Sequence, residues 1–171
     1  LAHSGVIITA NASTLVPNMN DQAVQWKSCT CLYFEVNRTN IPEGTIALVA
    51  DQGKLANNIY AYEDASGRQL LSVTTLKDNG KTEQELTQAI EEEVKAYCGI
   101  QRIKHIANLK ITEALPDLTQ LKMTAEPSES QLTEHIFLAG DVLFNGSLNA
   151  AMESGRLAAA GLIQKKSGIM M

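Results

Sequence analysis

The chain has 171 residues, a net charge of −5, and is 44% hydrophobic but only 5% aromatic. That length allows one sizeable core. The acidic balance, with no basic cluster interleaved with aromatics, argues against a nucleic-acid partner. No apolar run is long enough to span a bilayer, and no signal-peptide pattern opens the chain.

Leu1 rather than Met stands first, close before a strand, which gives the expectation of a piece cut from a longer chain. Three cysteines, Cys29, Cys31 and Cys98, do not make a disulfide framework. Cys29 and Cys31 share one face of a strand but are poorly spaced to bond to each other. The expected setting is reduced and cytoplasmic, with peripheral membrane contact left open.

Gly5 to Ala10 is a continuous apolar run of strand length, followed by the polar turn Asn11 to Ser13. Ser28 to Val36 is rich in strand formers, and Pro42 to Gly44 is a turn. Further strands are expected over 45–49, 57–62 and 69–76, the last two flanking the Asp64 to Gly67 turn. Strands this close together, with no helix between them, imply antiparallel pairing.

Thr82 with Glu85 is a capping box and Gly99 a stop, so a helix is predicted over 82–98 with an apolar stripe of Leu86, Ile90, Val94 and Tyr97. Successive residues on a helix diverge by about 100°, so Glu91, Glu92 and Glu93 cannot share one ion and read as a solvated face. No metal site is expected. Residues 102–112 read as a strand holding His105, a surface or core residue rather than a catalyst. Leu115-Pro116 breaks that strand, and 119–130 reads as a loop.

The last fifth is the most informative stretch. Ile136 to Leu138 form a short apolar strand ended by Gly140-Asp141, Asn145-Gly146 is a turn pair, and Ser147 can cap a helix. Leu148, Ala151, Met152, Gly155, Ala159, Leu162 and Ile163 recur at helical steps and are expected to form its packed face, opposite Asn149, Glu153, Arg156 and Gln164. Gly155, Ala158, Ala159 and Gly161 keep the helix thin. The unpaired N–H groups of its first turn could bind an anion or a carbonyl oxygen. Read as residues alone, the stretch is a buried β-turn-α unit with an N-capping serine.

Phe137-Leu-Ala-Gly-Asp141 followed by Gly146-Ser-Leu-Asn-Ala-Ala-Met-Glu-Ser-Gly-Arg-Leu-Ala-Ala159 resembles the C-terminal flavin-contacting motif of the flavin-containing amine oxidase and phytoene desaturase superfamily. The resemblance implies an FAD-dependent oxidoreductase that transfers hydride from a small, apolar or amine-bearing substrate to flavin. It places Gly140 and Asp141 by the ribityl and phosphate portion. Gly146, Ser147, Leu148 and Asn149 match the helix start that faces the flavin ring, and Ser154-Gly155 matches a close-packing pair. Thr9 and Ala10, with Asn11, match a strand end near the pyrophosphate. It transfers no catalytic residue.

The implied fold class is α+β: an antiparallel or mixed sheet with flanking helices, plus a C-terminal β-turn-α unit from a Rossmann-like FAD domain. Residues 1–16 and 131–171 would belong to the FAD domain and 17–130 to the substrate domain. No Gly-x-Gly-x-x-Gly turn follows any strand, so the dinucleotide site falls to the remainder of a parent chain, and this fragment alone is expected to be inactive and to lack tightly held FAD. Ser147 stands where the amine oxidases carry a cage tyrosine, which leans away from amine oxidation and toward a desaturase-like relative. The alternative is a non-catalytic α+β binding or interaction module.

Overall fold

In the computed structural model, residues 5–9, 15, 24–118 and 121–168 are described. They are α+β, with a five-stranded antiparallel sheet, a two-stranded parallel sheet and two α-helices. The chain divides into two compact units, one of Leu1–Lys27 with Leu115–Met171 and one of Ser28–Ala114.

The larger sheet comprises β2 (Trp26–Val36), β3 (Ile46–Leu48), β4 (Ala56–Glu63), β5 (Gln69–Thr75) and β6 (Ile103–Pro116), in the order β3-β4-β5-β2-β6. The pairings of β3 with β4, β4 with β5 and β5 with β2 are antiparallel. Bonds from Asn37 N–H to Arg102 O and from Asp117 N–H to Gln25 O bracket an antiparallel β2–β6 pair. Alternation decides which face is covered: Leu32, Phe34 and Val36 of β2 join Ile59, Ala61, Leu71 and Val73 in the core.

Helix α1 (Glu83–Cys98) covers that face with Leu86, Ile90, Val94 and Cys98. Its start is fixed by the capping box: Thr82 Oγ1 accepts from Glu85 N–H at 3.3 Å, and Glu85 Oε2 accepts from Thr82 N–H at 2.8 Å. Gly99, at φ +63°, ends it in the left-handed conformation. The predicted stripe holds for three of its residues. Cys98 is the fourth buried residue, whereas Tyr97 lies half-buried and its hydroxyl donates to Asp51 Oδ2 at 2.6 Å.

Two expectations for this unit need correction. Glu93 is not simply solvated, because its carboxylate accepts the N–H groups of Leu55 and Ala56 at 3.0–3.1 Å. Strand β6 does not stop before Leu115-Pro116 but runs to Pro116. It is an edge strand, and a proline at its end removes no ladder bond the sheet needs.

Candidate functional site

The candidate site lies in the unit formed by the two chain ends. Strands β1 (Val6–Ile8) and β7 (Ile136–Leu138) pair in parallel, with Val6 opposite Ile136, Ile7 opposite Phe137 and Ile8 opposite Leu138. Val6 N–H donates to His135 O and Ala139 N–H to Ile8 O, each at 2.8 Å. Parallel pairing puts the carboxyl ends of both strands at one edge, so exposed Thr9 comes beside Ala139 and Gly140. In open sheets of parallel strands, this is the edge at which ligands bind. The predicted strand over 5–10 is shorter than expected, and Ala10 and Asn11 lie outside the described residues.

Gly140 turns the chain out of β7 at φ +154° and ψ 164°, a conformation essentially restricted to glycine. Its N–H donates to Ser154 Oγ at 2.7 Å, and the Ser154 hydroxyl donates in turn to Ala151 O at 3.0 Å. Asp141 opens a 3-10 turn over Asp141–Leu143, closed by Phe144 N–H donating to Asp141 O at 3.1 Å. The half-buried Asp141 carboxylate accepts no hydrogen bond among the described residues. The expectation that the strand delivers this acid directly to the helix start therefore changes: the 3-10 turn and the bend at 144–147 come between them.

Ser147 caps helix α2 (Leu148–Lys166), with its Oγ accepting from Ala150 N–H at 3.2 Å and donating to Asn145 Oδ1 at 2.7 Å. Leu148 and Asn149 are exposed, and their N–H groups have no acceptor among the described residues. Gly146 lies against the adjoining segment: a Cβ there would stand 3.2 Å from Pro116 Cδ and 3.4 Å from Leu115 Cδ2.

The packed face of α2 differs in part from the expected one. Ala150, Ser154, Leu157, Ala158 and Gly161 are buried, whereas Leu148, Met152 and Ile163 are exposed. Ala158 packs with Phe137 and Ala139, and Leu157 with Phe144. Of the expected face only Leu148, Met152 and Ile163 are exposed; Ala151, Gly155, Ala159 and Leu162 are half-buried, Leu162 packing beside Phe137 and Ala158, and the buried Ala150, Ser154, Ala158 and Gly161 each lie one position before them. Hydropathy weights Leu and Met above Ala and Gly, yet Ala158 and Gly161 are buried where Phe137 and Pro127 approach the helix closely, while Leu157 fills the space beside Phe144. A Cβ at Gly161 would stand 2.8 Å from Pro127 O, whereas one at Gly155 would meet nothing within 4 Å. Sequence reasoning noted Ser154 but not its role as the buried acceptor under the Gly140 turn; its signal is the run of small residues Ala150, Ser154 and Ala158 at intervals of four.

In the other unit, His105 is exposed, with its Nε2 2.8 Å from Asn108 Oδ1 and its ring edge-on to Phe34. Among the described residues no three His, Cys, Asp or Glu side chains are grouped to hold a metal ion. No helix among them is long and apolar enough to cross a membrane.

No protein-family model matches the sequence, and no curated protein matches it. Among solved structures, the chain is similar in fold to a putrescine oxidase double mutant from a structure-based redesign of its cofactor binding. The match has a TM-score of 0.59 and 12% identity, and covers 94% of this chain and 42% of that one. At that identity the likeness is one of fold. The chain spans less than half the length of that oxidase chain.

Proposed function

We propose that this chain is the substrate-domain and C-terminal part of an FAD-dependent oxidoreductase of the amine oxidase and phytoene desaturase superfamily. The observation that carries this reading is the convergence of Thr9, Gly140 and Asp141 at the carboxyl ends of two parallel strands, with Ser147-capped α2 following. Three features of the residues present fit a flavin dinucleotide there. The Gly140 turn has no side chain to obstruct a close approach, the Asp141 carboxylate is free of partners among the described residues, and two amides of the first turn of α2 are open.

On this reading Asp141 accepts hydrogen bonds from the ribityl hydroxyls, and the N–H groups of Leu148 and Asn149 face a ring carbonyl. Thr9, with Ala10, lies toward the pyrophosphate, and Gly146 lets the chain turn into the helix. The bound flavin supplies the hydride acceptor. The protein's share is to bind and orient: a helix N-terminus beside a carbonyl that gains negative charge favours the reduced cofactor. The substrate is a small molecule, apolar or amine-bearing. Ser147 and the exposed Leu148, standing where an aromatic cage would be, favour a desaturase-like reaction over amine oxidation.

The pyrophosphate-binding glycine turn belongs, on this reading, to the rest of a longer parent chain. Residues 1–16 and 131–171 are its FAD-domain return, 17–130 its substrate domain, and the enzyme is cytoplasmic. The experiment is a flavin absorbance spectrum of the purified parent beside that of this 171-residue chain. A yellow parent, with absorbance near 450 nm at about one flavin per chain, and a colourless 171-residue chain are expected. A colourless parent, or a coding sequence with no dinucleotide-binding turn upstream, would favour a binding module instead.

A further inference from the structure

We infer that Cys29 and Cys31 form a two-coordinate thiolate site for a soft monovalent cation of the Cu(I) type, on the sheet face turned away from α1. Both lie on β2, two residues apart, so their side chains leave the same face of the strand. Leu32, Phe34 and Val36 alternate with them and enter the core beneath α1, whereas the two cysteines are half-buried free thiols. Across the strand pair Cys31 faces Thr74, with its Sγ 3.7 Å from Thr74 Oγ1. Burial first, and then the neighbouring Cys31 thiol, push the Cys29 thiol upward from its ordinary pKa.

Geometry decides what such a pair can hold. Residues two apart on a strand are separated by about 6.5 Å. A disulfide needs its Cβ atoms within about 4 Å, so a direct bond would require the strand to buckle. Metal–thiolate bonds of about the 2.3 Å that zinc makes would set the sulfurs of a linear site about 4.6 Å apart. Two side chains rooted about 6.5 Å apart on one face of a strand need only lean toward each other to meet that span. With no grouping of three ligating side chains among the described residues, the four ligands that zinc requires are not assembled. A soft ion satisfied by two thiolates needs only this pair. Binding converts two thiols and one Cu(I) into a bis-thiolate complex of charge −1 and releases two protons to solvent. No electron is transferred.

The test is an anaerobic titration of the reduced 171-residue chain, with Cu(I) supplied as its acetonitrile complex and bicinchoninate as coloured competitor. One equivalent of Cu(I) per chain is expected to leave the competitor. Cys29→Ser and Cys31→Ser should each weaken retention at least tenfold, and Cys98→Ser, altering a fully buried thiol at the end of α1 on the opposite side of the sheet, should leave it unchanged. Circular dichroism checks that each variant is folded, and Cys29→Ala and Cys31→Ala replace any serine variant that is not. No withdrawal by the unaltered chain, half an equivalent per chain, or full retention by either single variant overturns the proposal.

Discussion

Gly140 and Ser154, fourteen residues apart, are joined by a 2.7 Å hydrogen bond from the glycine amide to the serine hydroxyl. Ser154 is fully buried and Gly140 half-buried, so the serine end of the bond is shielded from water. It ties the turn that leaves β7 to the middle of α2, and it fixes the backbone from which Asp141 projects. Ser154→Ala leaves the half-buried Gly140 N–H without its acceptor, which costs about 1–3 kcal/mol. A thermal or urea melt should show that loss. An unchanged midpoint would mean that water takes over the bond, and that Ser154 does not hold the turn.

The two glycines of α2 should respond to the same substitution with opposite signs. Gly155 is open around its missing Cβ, so Gly155→Ala removes backbone freedom from the unfolded chain and stabilises the protein by about 0.5–1 kcal/mol. Gly161→Ala would push a methyl group to 2.8 Å from Pro127 O and 3.0 Å from the Phe137 ring. Carbonyl and ring are both packed, so the helix must shift, and a destabilisation of about 1–3 kcal/mol is expected from overpacking. Paired urea titrations decide it. Two variants displaced in the same direction would show that the buried side of α2 is wrongly assigned.

Glu93 satisfies two amides that begin β4, those of the buried residues Leu55 and Ala56. Glu93→Ala removes the acceptor for both and should lower stability by about 1–3 kcal/mol. Glu93→Gln keeps one amide oxygen in place and should fall between the two. If alanine and glutamine variants melt together with the unaltered chain, the carboxylate is only a solvated charge.

Tyr97 sets an alkaline limit. Its hydrogen bond to Asp51 is the main reason its phenol is raised from 10.0 to about 12. The bond stabilises the protonated form, so its contribution is full below the unfolded value near pH 10 and disappears as pH rises through about 12. Tyr97→Phe should therefore be less stable at neutral pH, and the gap to the unaltered chain should narrow above about pH 10. Urea midpoints measured from neutral to alkaline pH test this; a gap that stays constant across the range would contradict it.

Where local chemistry decides structure, the sequence could be read directly. Thr82, Glu85 and Gly99 bound α1 because capping and a left-handed stop are settled within one turn of chain. Ser28 to Val36 reads as a strand from its strand formers, but its imperfect alternation suggests cover on both sides, and that only the Leu32, Phe34 and Val36 side is fully buried follows from α1 lying over it. Helix α2 is legible as a helix, and Ser147 as its cap, but its packed face only in part. Its burial follows from how closely Pro127 and Phe137 approach, which is a property of partners distant in sequence. The same limit applies to Glu93, whose role depends on the start of β4 lying beside α1. The 3-10 turn at Asp141 was missed because Asp141-Val-Leu143 carries no turn signal beyond the glycine before it.

Asp141 decides between the flavin reading and a purely structural turn. Its backbone carbonyl closes the 3-10 turn, but its carboxylate accepts no bond among the described residues. A side chain that only closed a turn would have an amide or hydroxyl on it. If the proposed flavin reading holds, Asp141→Ala in a longer parent should weaken FAD binding by about 1–3 kcal/mol, the usual effect of removing a charged hydrogen-bond partner. The melting temperature of the flavin-free protein should change little, because no bond within the described residues is lost. Both quantities are read from one preparation, flavin content by absorbance and stability by a melt after the flavin is stripped. A lowered melting temperature beside unchanged flavin content would assign Asp141 to the fold and remove it from the cofactor site.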